Sequence, residues 1–198
     1  MTRYSVDIFL HVTGAIAVFV GYASLLLAVT AARRATRSEQ VQAITSTLLA
    51  TRKIGLERIS VIDVIVIAGV LMIAVTGADM ALSLQLIRAP WIDVAIGSFI
   101  LLAPIGPLLI NPRLHQISDA ADLEPSGPIS SRLRMRVRDP LLTVALGGSF
   151  GILIGLVFLM TTKPTLSTSL TAIAVAVGAG VTLSWAFVRD SAEPPTKD

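Results

Sequence analysis

Five long apolar segments alternate with shorter polar stretches along the chain. Each segment has close to the ~20 residues that a helix needs to cross a hydrocarbon core about 30 Å thick. The apolar runs are continuous and lack the alternation of barrel strands, so we predict that all of them are helices. The expected helices are 6–31, 59–84, 91–110, 140–160 and 169–188. The pattern therefore predicts an all-α fold, a polytopic transmembrane bundle of five helices.

The basic residues predict the orientation of this bundle. Most of them follow the first, third or fifth segment: Arg33, Arg34, Arg37, Arg52, Lys53, Arg58, Arg113, Arg132, Arg134, Arg136, Arg138, Arg189 and Lys197. The others, Arg3, Arg88 and Lys163, fall at the opposite ends of the segments. Because positive charge is retained in the cytoplasm, we predict that the N-terminus is outside and the C-terminus inside.

The same pattern predicts the domain organisation. We expect a single transmembrane domain over residues 1–190 and a short disordered cytoplasmic tail over 191–198. The first segment is longer than the core of a signal peptide, and its basic cluster follows it instead of preceding it. We therefore expect an uncleaved helix at the start of the chain.

Composition supports a membrane protein and excludes several kinds of chemistry. Hydrophobic residues make up 54% and charged residues 15% of the chain, and the mean hydropathy is +0.78. The chain has no cysteine, which excludes disulfides, thiol nucleophiles and cysteine-based metal sites. The isoelectric point is near 9.8, but no aromatic stacking platform accompanies the basic residues, so we predict no nucleic-acid binding. No nucleophile elbow, phosphate-binding loop or HExxH motif is present, and we assign no catalytic residue.

Ionisable side chains are predicted to collect at the outer ends of the helices. Asp7 and His11 are one turn apart on the same side of the first helix. Asp79 closes the second helix, and Arg88 and Asp93 lie on either side of the start of the third. Charged groups are costly in a membrane and are therefore candidates for function. Two interpretations stay open: the group pins helices together, or it binds a small ligand, a proton or an ion.

Histidine has few metal-binding partners in this chain. A bis-histidine haem needs two imidazoles that face each other. His115 is predicted at the inner end of the third helix, a membrane thickness away from His11, so one chain cannot supply both. His11 with Met80 or Met160 could instead hold haem or Cu(I), because thioethers are soft ligands. The alternative is a histidine that only forms hydrogen bonds at a helix end.

Small residues predict which helix faces point into the bundle. In lipid there is little hydrophobic force that brings helices together, so helices associate where small side chains allow their backbones to approach closely. On the fourth segment, Gly147, Gly151 and Gly155 recur every four residues. On the first segment, Gly14, Gly21 and Ala28 continue a spacing of seven that begins at Asp7. On the fifth segment, small residues recur every four positions at Ala172, Ala176, Gly180 and Ser184. The glycines of the fourth segment could alternatively form a homodimer. Pro104 and Pro107 predict a bend in the third helix.

The two longest polar stretches are predicted on the cytoplasmic side. Apolar residues recur at helical spacing in the first stretch: Val41, Ile44, Leu48 and Leu49. They predict either a short amphipathic helix at the membrane surface or an extension of the first helix. In the second stretch, prolines and a glycine predict irregular chain until Asp139 caps the fourth helix.

The second stretch also contains RLRMRVR, residues 132–138. Basic side chains beside a membrane attract anionic lipid head groups. We predict that Arg132, Arg134, Arg136 and Arg138 contact membrane lipids.

Several motifs together resemble a known family. They are His11-Val12-Thr13-Gly14, TGADM at 76–80, Trp91 and RDPLLTVALGGSFGILIGLVFLMTTKP at 138–164. From about residue 6 to about residue 188, the chain resembles the bacterial family of predicted integral membrane proteins called domain of unknown function 2269. The resemblance implies a small multi-pass protein of the bacterial inner (cytoplasmic) membrane, without an assigned activity.

These observations favour an integral membrane protein of uncharacterised function, not an enzyme, with an outer polar group that is structural or binds a small ligand. The first alternative is a membrane protein that handles haem or copper through His11 with Met80 or Met160. The second is a membrane scaffold that binds a cytoplasmic partner through its basic loops.

Overall fold

The computed structural model describes residues 2–48, 51–54, 57–83 and 89–190. In chain order its elements are α1 Arg3–Arg34, α2 Ser38–Leu48, β1 Thr51–Ile54, β2 Glu57–Ser60, α3 Val61–Ser83, α4 Pro90–Leu102, a π-helical turn Gly106–Ile110, α5 Asn111–Asp122, α6 Ser131–Val137, α7 Pro140–Thr162 and α8 Leu166–Asp190. The predicted tail over 191–198 lies outside the described residues.

The predicted helical bundle is confirmed. Five helical rods are long and apolar enough to span a membrane: Arg3–Arg34, Val61–Ser83, Pro90–Asp122, Ser131–Thr162 and Leu166–Ala186. The rods have alternating directions, so α1, α4 and α8 begin at the end of the bundle where α3 and α7 finish. We call this end the site end and the opposite one, which carries α2, α5 and α6, the loop end.

The second rod begins two residues later than predicted, because a short hairpin precedes it. β1 and β2 pair antiparallel, with Thr51 opposite Ser60. Ser60 then caps α3: its hydroxyl oxygen accepts a hydrogen bond from the backbone N–H of Asp63 at 3.1 Å, and the Asp63 carboxylate accepts one from the backbone N–H of Ser60 at 2.9 Å. This reciprocal capping box fixes the first turn of the helix.

Glycines bring α1 and α3 into backbone contact. A Cβ atom added at Gly14 would lie 2.8 Å from the carbonyl oxygen of Gly69, and one added at Gly69 would lie 2.7 Å from that of Gly14. Gly21 faces Val66 in the same interface. The prediction that the glycine face of the first helix points into the bundle is therefore confirmed.

A second close pair joins α7 and α8. A Cβ atom at Gly147 would lie 2.6 Å from the carbonyl oxygen of Gly180, and one at Gly155 would lie 2.7 Å from Ile173 Cδ1. Gly151 faces the backbone of Ala176. The face that could have formed a homodimer is thus occupied by α8 of the same chain, which supports the intrachain interpretation of these glycines.

The prolines of the third rod interrupt its regular α-helix. α4 ends at Leu102, and a turn leads into the π-helical segment Gly106–Ile110 before α5 begins. Pro104 and Pro107 have no N–H to donate, so the regular α-helical hydrogen-bond ladder cannot continue through them. The π-helical turn, with its wider i to i+5 hydrogen bonds, spans the positions where the α-helical hydrogen bonds are missing, and the rod continues to Asp122.

The second polar stretch is irregular only over residues 123–130, because α5 continues to Asp122 and α6 covers Ser131–Val137. Pro112 does not prevent α5, since it lies in the first turn, where no backbone N–H is needed. α2 is a separate helix that packs against α5, and Val41 is fully buried there. The Ser38 hydroxyl donates to the carbonyl oxygen of Pro125 at 2.9 Å, and Gln42 Nε2 donates to that of Ala121 at 2.6 Å. Side-chain bonds to the turn therefore replace the regular structure that prolines prevent.

Arg33 fastens the loop end to α7. Its guanidinium donates to the carbonyl oxygens of Val137 at 3.0 Å and Asp139 at 3.3 Å, and to the Thr143 hydroxyl. The Asp139 side chain caps α7 as predicted, accepting from the backbone N–H of Leu141, and also forms an ion pair with Arg113 at 2.9 Å.

The contact between α7 and α8 gives a matched test on one helix. Gly180→Ala places a methyl group against the Gly147 backbone and should lower stability by about 1–3 kcal/mol. Gly178 has nothing within 4 Å, so Gly178→Ala should leave stability unchanged or raise it by up to about 1 kcal/mol. Thermal unfolding in mild detergent measures both, and equal effects would contradict this packing.

Candidate functional site

Polar side chains of α1 and α3 meet at the site end. Arg3, Asp7 and His11 are spaced four residues apart along one face of α1. Thr76 and Asp79 lie within one turn of each other on α3. Because α1 and α3 are in backbone contact, the two rows come together. We call these five residues the polar end cluster.

An ion pair forms the most exposed part of the polar end cluster. The Arg3 guanidinium donates a hydrogen bond to Asp79 Oδ1, and the side chains are 79% and 25% exposed, respectively. The Asp7 carboxyl lies one turn from Arg3 on the same face of α1. One arginine therefore sits beside two carboxylates, an arrangement that reduces their mutual repulsion.

His11 lies one turn deeper and has a defined orientation. Its Nδ1 is 3.1 Å from the Thr76 hydroxyl oxygen, and that hydroxyl donates its proton to the carbonyl oxygen of Met72. A hydroxyl has a single proton, so Nδ1 of the neutral ring must be the donor to Thr76. The other nitrogen, Nε2, then carries a lone pair, and it lies 3.5 Å from the sulfur of Met160 on α7.

The lack of a side chain on Gly77 allows this placement of the imidazole. A Cβ atom at Gly77 would lie 3.2 Å from His11 Cε1, closer than most such contacts. The ring therefore packs directly against α3 and has little freedom to turn.

The structure joins only part of the predicted outer group. Asp7, His11 and Asp79 come together, whereas Asp93 is exposed on α4, which packs mainly against α7 and α8. Within the described residues, no hydrogen bond or ion pair links Asp93 to the polar end cluster. Arg88 lies outside the described residues, and Asp79 has Arg3 as its ionic partner.

The two predicted methionines differ in their relation to His11. Met160 makes the sulfur contact described above. Met80 is half-buried one turn beyond Thr76 on α3, and no hydrogen bond connects it to His11 in the described part of the chain.

Two functional candidates were missed by sequence reasoning. Arg3 was counted only as a basic residue that marks one side of the membrane, although it pairs with Asp79. Thr76 was only part of a family motif, although it holds the imidazole of His11. The signal for Thr76 is its position three residues before Asp79, on the face of α3 that carries the acid.

A separate polar spot lies deeper in the bundle. Tyr22 on α1 and Ser149 on α7 are both buried. The Tyr22 hydroxyl would lie 3.7 Å from a Cβ atom at Gly106. This spot is therefore beside the break in the third rod and is distinct from the polar end cluster.

Three of the four predicted lipid-binding arginines lie on α6 at the loop end, and the fourth, Arg138, is the half-buried residue that ends this helix. Arg132, Arg134 and Arg136 are exposed, whereas Leu133 and Val137 are buried beneath them. This amphipathic helix leaves the basic side chains outside. Their contact with lipid head groups stays a prediction.

The fold and the site together define a multi-pass helical membrane protein with a cluster of ionisable side chains and a tightly held histidine at one end. The chain matches no protein-family model, no curated protein and no solved structure. The resemblance to the domain of unknown function 2269 family therefore stays a prediction.

A double-mutant cycle tests the polar end cluster. Arg3→Gln should lower thermal stability in detergent at neutral pH, by no more than about 1 kcal/mol because the Arg3 side chain is largely exposed. Adding Asp79→Asn should restore stability, since it removes the repulsion between Asp79 and Asp7 that Arg3 compensates. If the double variant is less stable than Arg3→Gln, the two carboxylates do not oppose each other.

Proposed function

We propose that the protein is an integral protein of a bacterial inner membrane whose polar end cluster faces the periplasm and binds a small ligand. The observation that carries this proposal is the lone pair of His11 Nε2. Within the described residues, its neighbour is the thioether of Met160, which leaves the nitrogen without a hydrogen-bond donor once the ring is neutral. A held imidazole with an available lone pair is a ligand-binding group.

The orientation follows from charge. Arg33, Arg113 and the arginines of α6 belong to the loop end, whereas Arg3 and Lys163 belong to the site end. The positive-inside rule therefore favours a cytoplasmic loop end and a periplasmic site end.

A purely structural role is the competing interpretation of the cluster. It accounts for Arg3, Asp7 and Asp79, because an ion pair between α1 and α3 can hold two helix ends together. It gives no role to the available nitrogen of His11. We therefore assign the ion pair to structure and the imidazole to binding.

Haem and copper differ in how well they fit the site. A bis-histidine haem is unsupported, because His115 lies on α5 at the loop end. A single copper ion needs no second histidine, and the contact between His11 and Met160 favours it as the second candidate.

The scaffold alternative receives less support from the loop end. Arg33 and Arg113 are already bound to groups of the same chain. Arg34 is exposed, and so are three arginines of α6, but an exposed basic residue beside a membrane is also explained by lipid.

Ligand binding is tested by native mass spectrometry of protein extracted in mild detergent. The wild-type chain should carry a bound species that His11→Ala has lost, and the control variant His115→Ala should retain it. The same adducts, or none, on all three proteins would show that His11 does not bind a ligand.

Orientation is tested by labelling engineered cysteines, because the chain has none of its own. Lys163 and Ser126 are both exposed, at the site end and the loop end, respectively. An impermeant thiol reagent should label Lys163→Cys in intact cells and Ser126→Cys only after permeabilisation. The reverse result would place the polar end cluster in the cytoplasm.

A further inference from the structure

We propose that His11 Nε2 and Met160 Sδ are two protein ligands of a single Cu(I) ion at the site end of the bundle. This inference rests on the proposed small-ligand site and names its ligand class. The two atoms come from α1 and α7, and α3 supplies the hydroxyl that orients the imidazole. Three helices therefore converge on one potential metal position.

The separation of the two atoms fits one shared metal ion. Bonds of about 2.0 Å to an imidazole nitrogen and about 2.3 Å to a sulfur are typical of such ligands. With Nε2 and Sδ 3.5 Å apart, an ion at those distances from both would be bound at an angle of roughly 110°. That angle suits tetrahedral or trigonal coordination and leaves at least one position for a further ligand.

The orientation of the ring prepares the nitrogen for a metal. A metal-binding histidine commonly donates its other N–H to an oxygen, which fixes the tautomer and raises the basicity of the ligating nitrogen. Thr76 provides this oxygen at 3.1 Å, and its own proton is held by the carbonyl of Met72. The lone pair of Nε2 consequently points to the side where Met160 lies.

The chemistry of the ligands selects the metal. A thioether is a soft, neutral ligand that favours Cu(I) over Mg²⁺, Ca²⁺ or Mn²⁺, which prefer oxygen. Within the described residues there is no group of three His, Cys, Asp or Glu side chains that could hold a harder ion. A monovalent ion also adds only one positive charge, and the Asp7 carboxylate lies one turn away to balance it.

Both ligand atoms lie near the site end of the bundle. Met160 is 36% exposed and lies in the last turn of α7. His11 and Met160 alone leave the coordination incomplete, so an incoming or outgoing ligand can share the ion with them. This arrangement suits a site that exchanges copper with another carrier and not one that stores it permanently.

The test is anaerobic titration of the purified full-length protein with Cu(I) against a chromophoric Cu(I) chelator in mild detergent. Wild-type protein should bind one Cu(I) per chain, and Met160→Leu and His11→Ala should each weaken the affinity by at least about tenfold. Matched controls come from the loop end, where Met135→Leu and His115→Ala should leave the affinity unchanged. Met160→Leu conserves volume at a partly exposed position, so it keeps the test valid even if His11→Ala folds poorly.

Two further measurements separate ligation from a general structural effect. X-ray absorption of the Cu(I)-loaded protein should show one sulfur scatterer that Met160→Leu lacks. Thr76→Val retains both ligands but removes the oxygen that holds Nδ1, and it should weaken Cu(I) binding by about 10- to 100-fold. Ag(I), a redox-inert soft ion, should compete with Cu(I) for the wild-type protein.

Wild-type affinity no higher than that of Met160→Leu, or a spectrum without a sulfur scatterer, would overturn the copper site. If native mass spectrometry then still shows a different species that depends on His11, the broader ligand-binding proposal stands and only its assignment to copper fails. If neither copper nor any other species depends on His11, both proposals fail.

Discussion

The structure depends on close backbone contact between helices. In a lipid bilayer, apolar surfaces gain little free energy by associating with one another. Lipid tails are as apolar as leucine, so helices pair where small residues let their backbones approach. Gly14 and Gly69 do this for α1 and α3, and Gly147 and Gly180 do it for α7 and α8. The first contact aligns the rows of the polar end cluster, and the packing of α1 against α7 brings Met160 to His11. The site is thus a consequence of helix pairing.

Polar groups find their partners in different ways at the two ends of the bundle. At the loop end, prolines interrupt regular structure, and side chains such as Ser38 and Gln42 bind the freed carbonyl groups. At the site end, the helices stop near polar residues, and the ion pair of Arg3 with Asp79 lies close to water. His11 lies one turn deeper than this ion pair, with its Nε2 beside the sulfur of Met160.

The sequence predicts the transmembrane segments well because hydrophobic length is a local property. Most boundaries agree to within three residues, but the third rod continues to Asp122, twelve residues past its predicted end at 110, and a hairpin and a capping box at Ser60 precede α3. Glycine spacing also predicts which faces point inward, but it cannot say which helix each face meets. That depends on the packing of all rods at once, which is why the glycines of α7 could be assigned to a homodimer as readily as to α8.

The candidate site was only partly predictable for the same reason. The sequence placed Arg88 in the same outer group as Asp79, but the described partner of Asp79 is Arg3, which is 76 positions away. His11 and Met160 are separated by 149 positions, so their contact could be proposed only as one of two options. The orientation of the imidazole depends on a threonine hydroxyl, which becomes a candidate only when α3 is known to pack against α1.

The most direct test of this account is cysteine cross-linking between α1 and α3 in native membranes. With cysteines at positions 11 and 76, a short bifunctional thiol reagent should join α1 to α3 within one chain, as seen by mass spectrometry of the linked peptides. Cysteines at positions 11 and 115, which lie at opposite ends of the bundle, should stay unlinked. If positions 11 and 76 fail to link, or if both pairs link equally, then α1 and α3 do not pair as described and the site does not form.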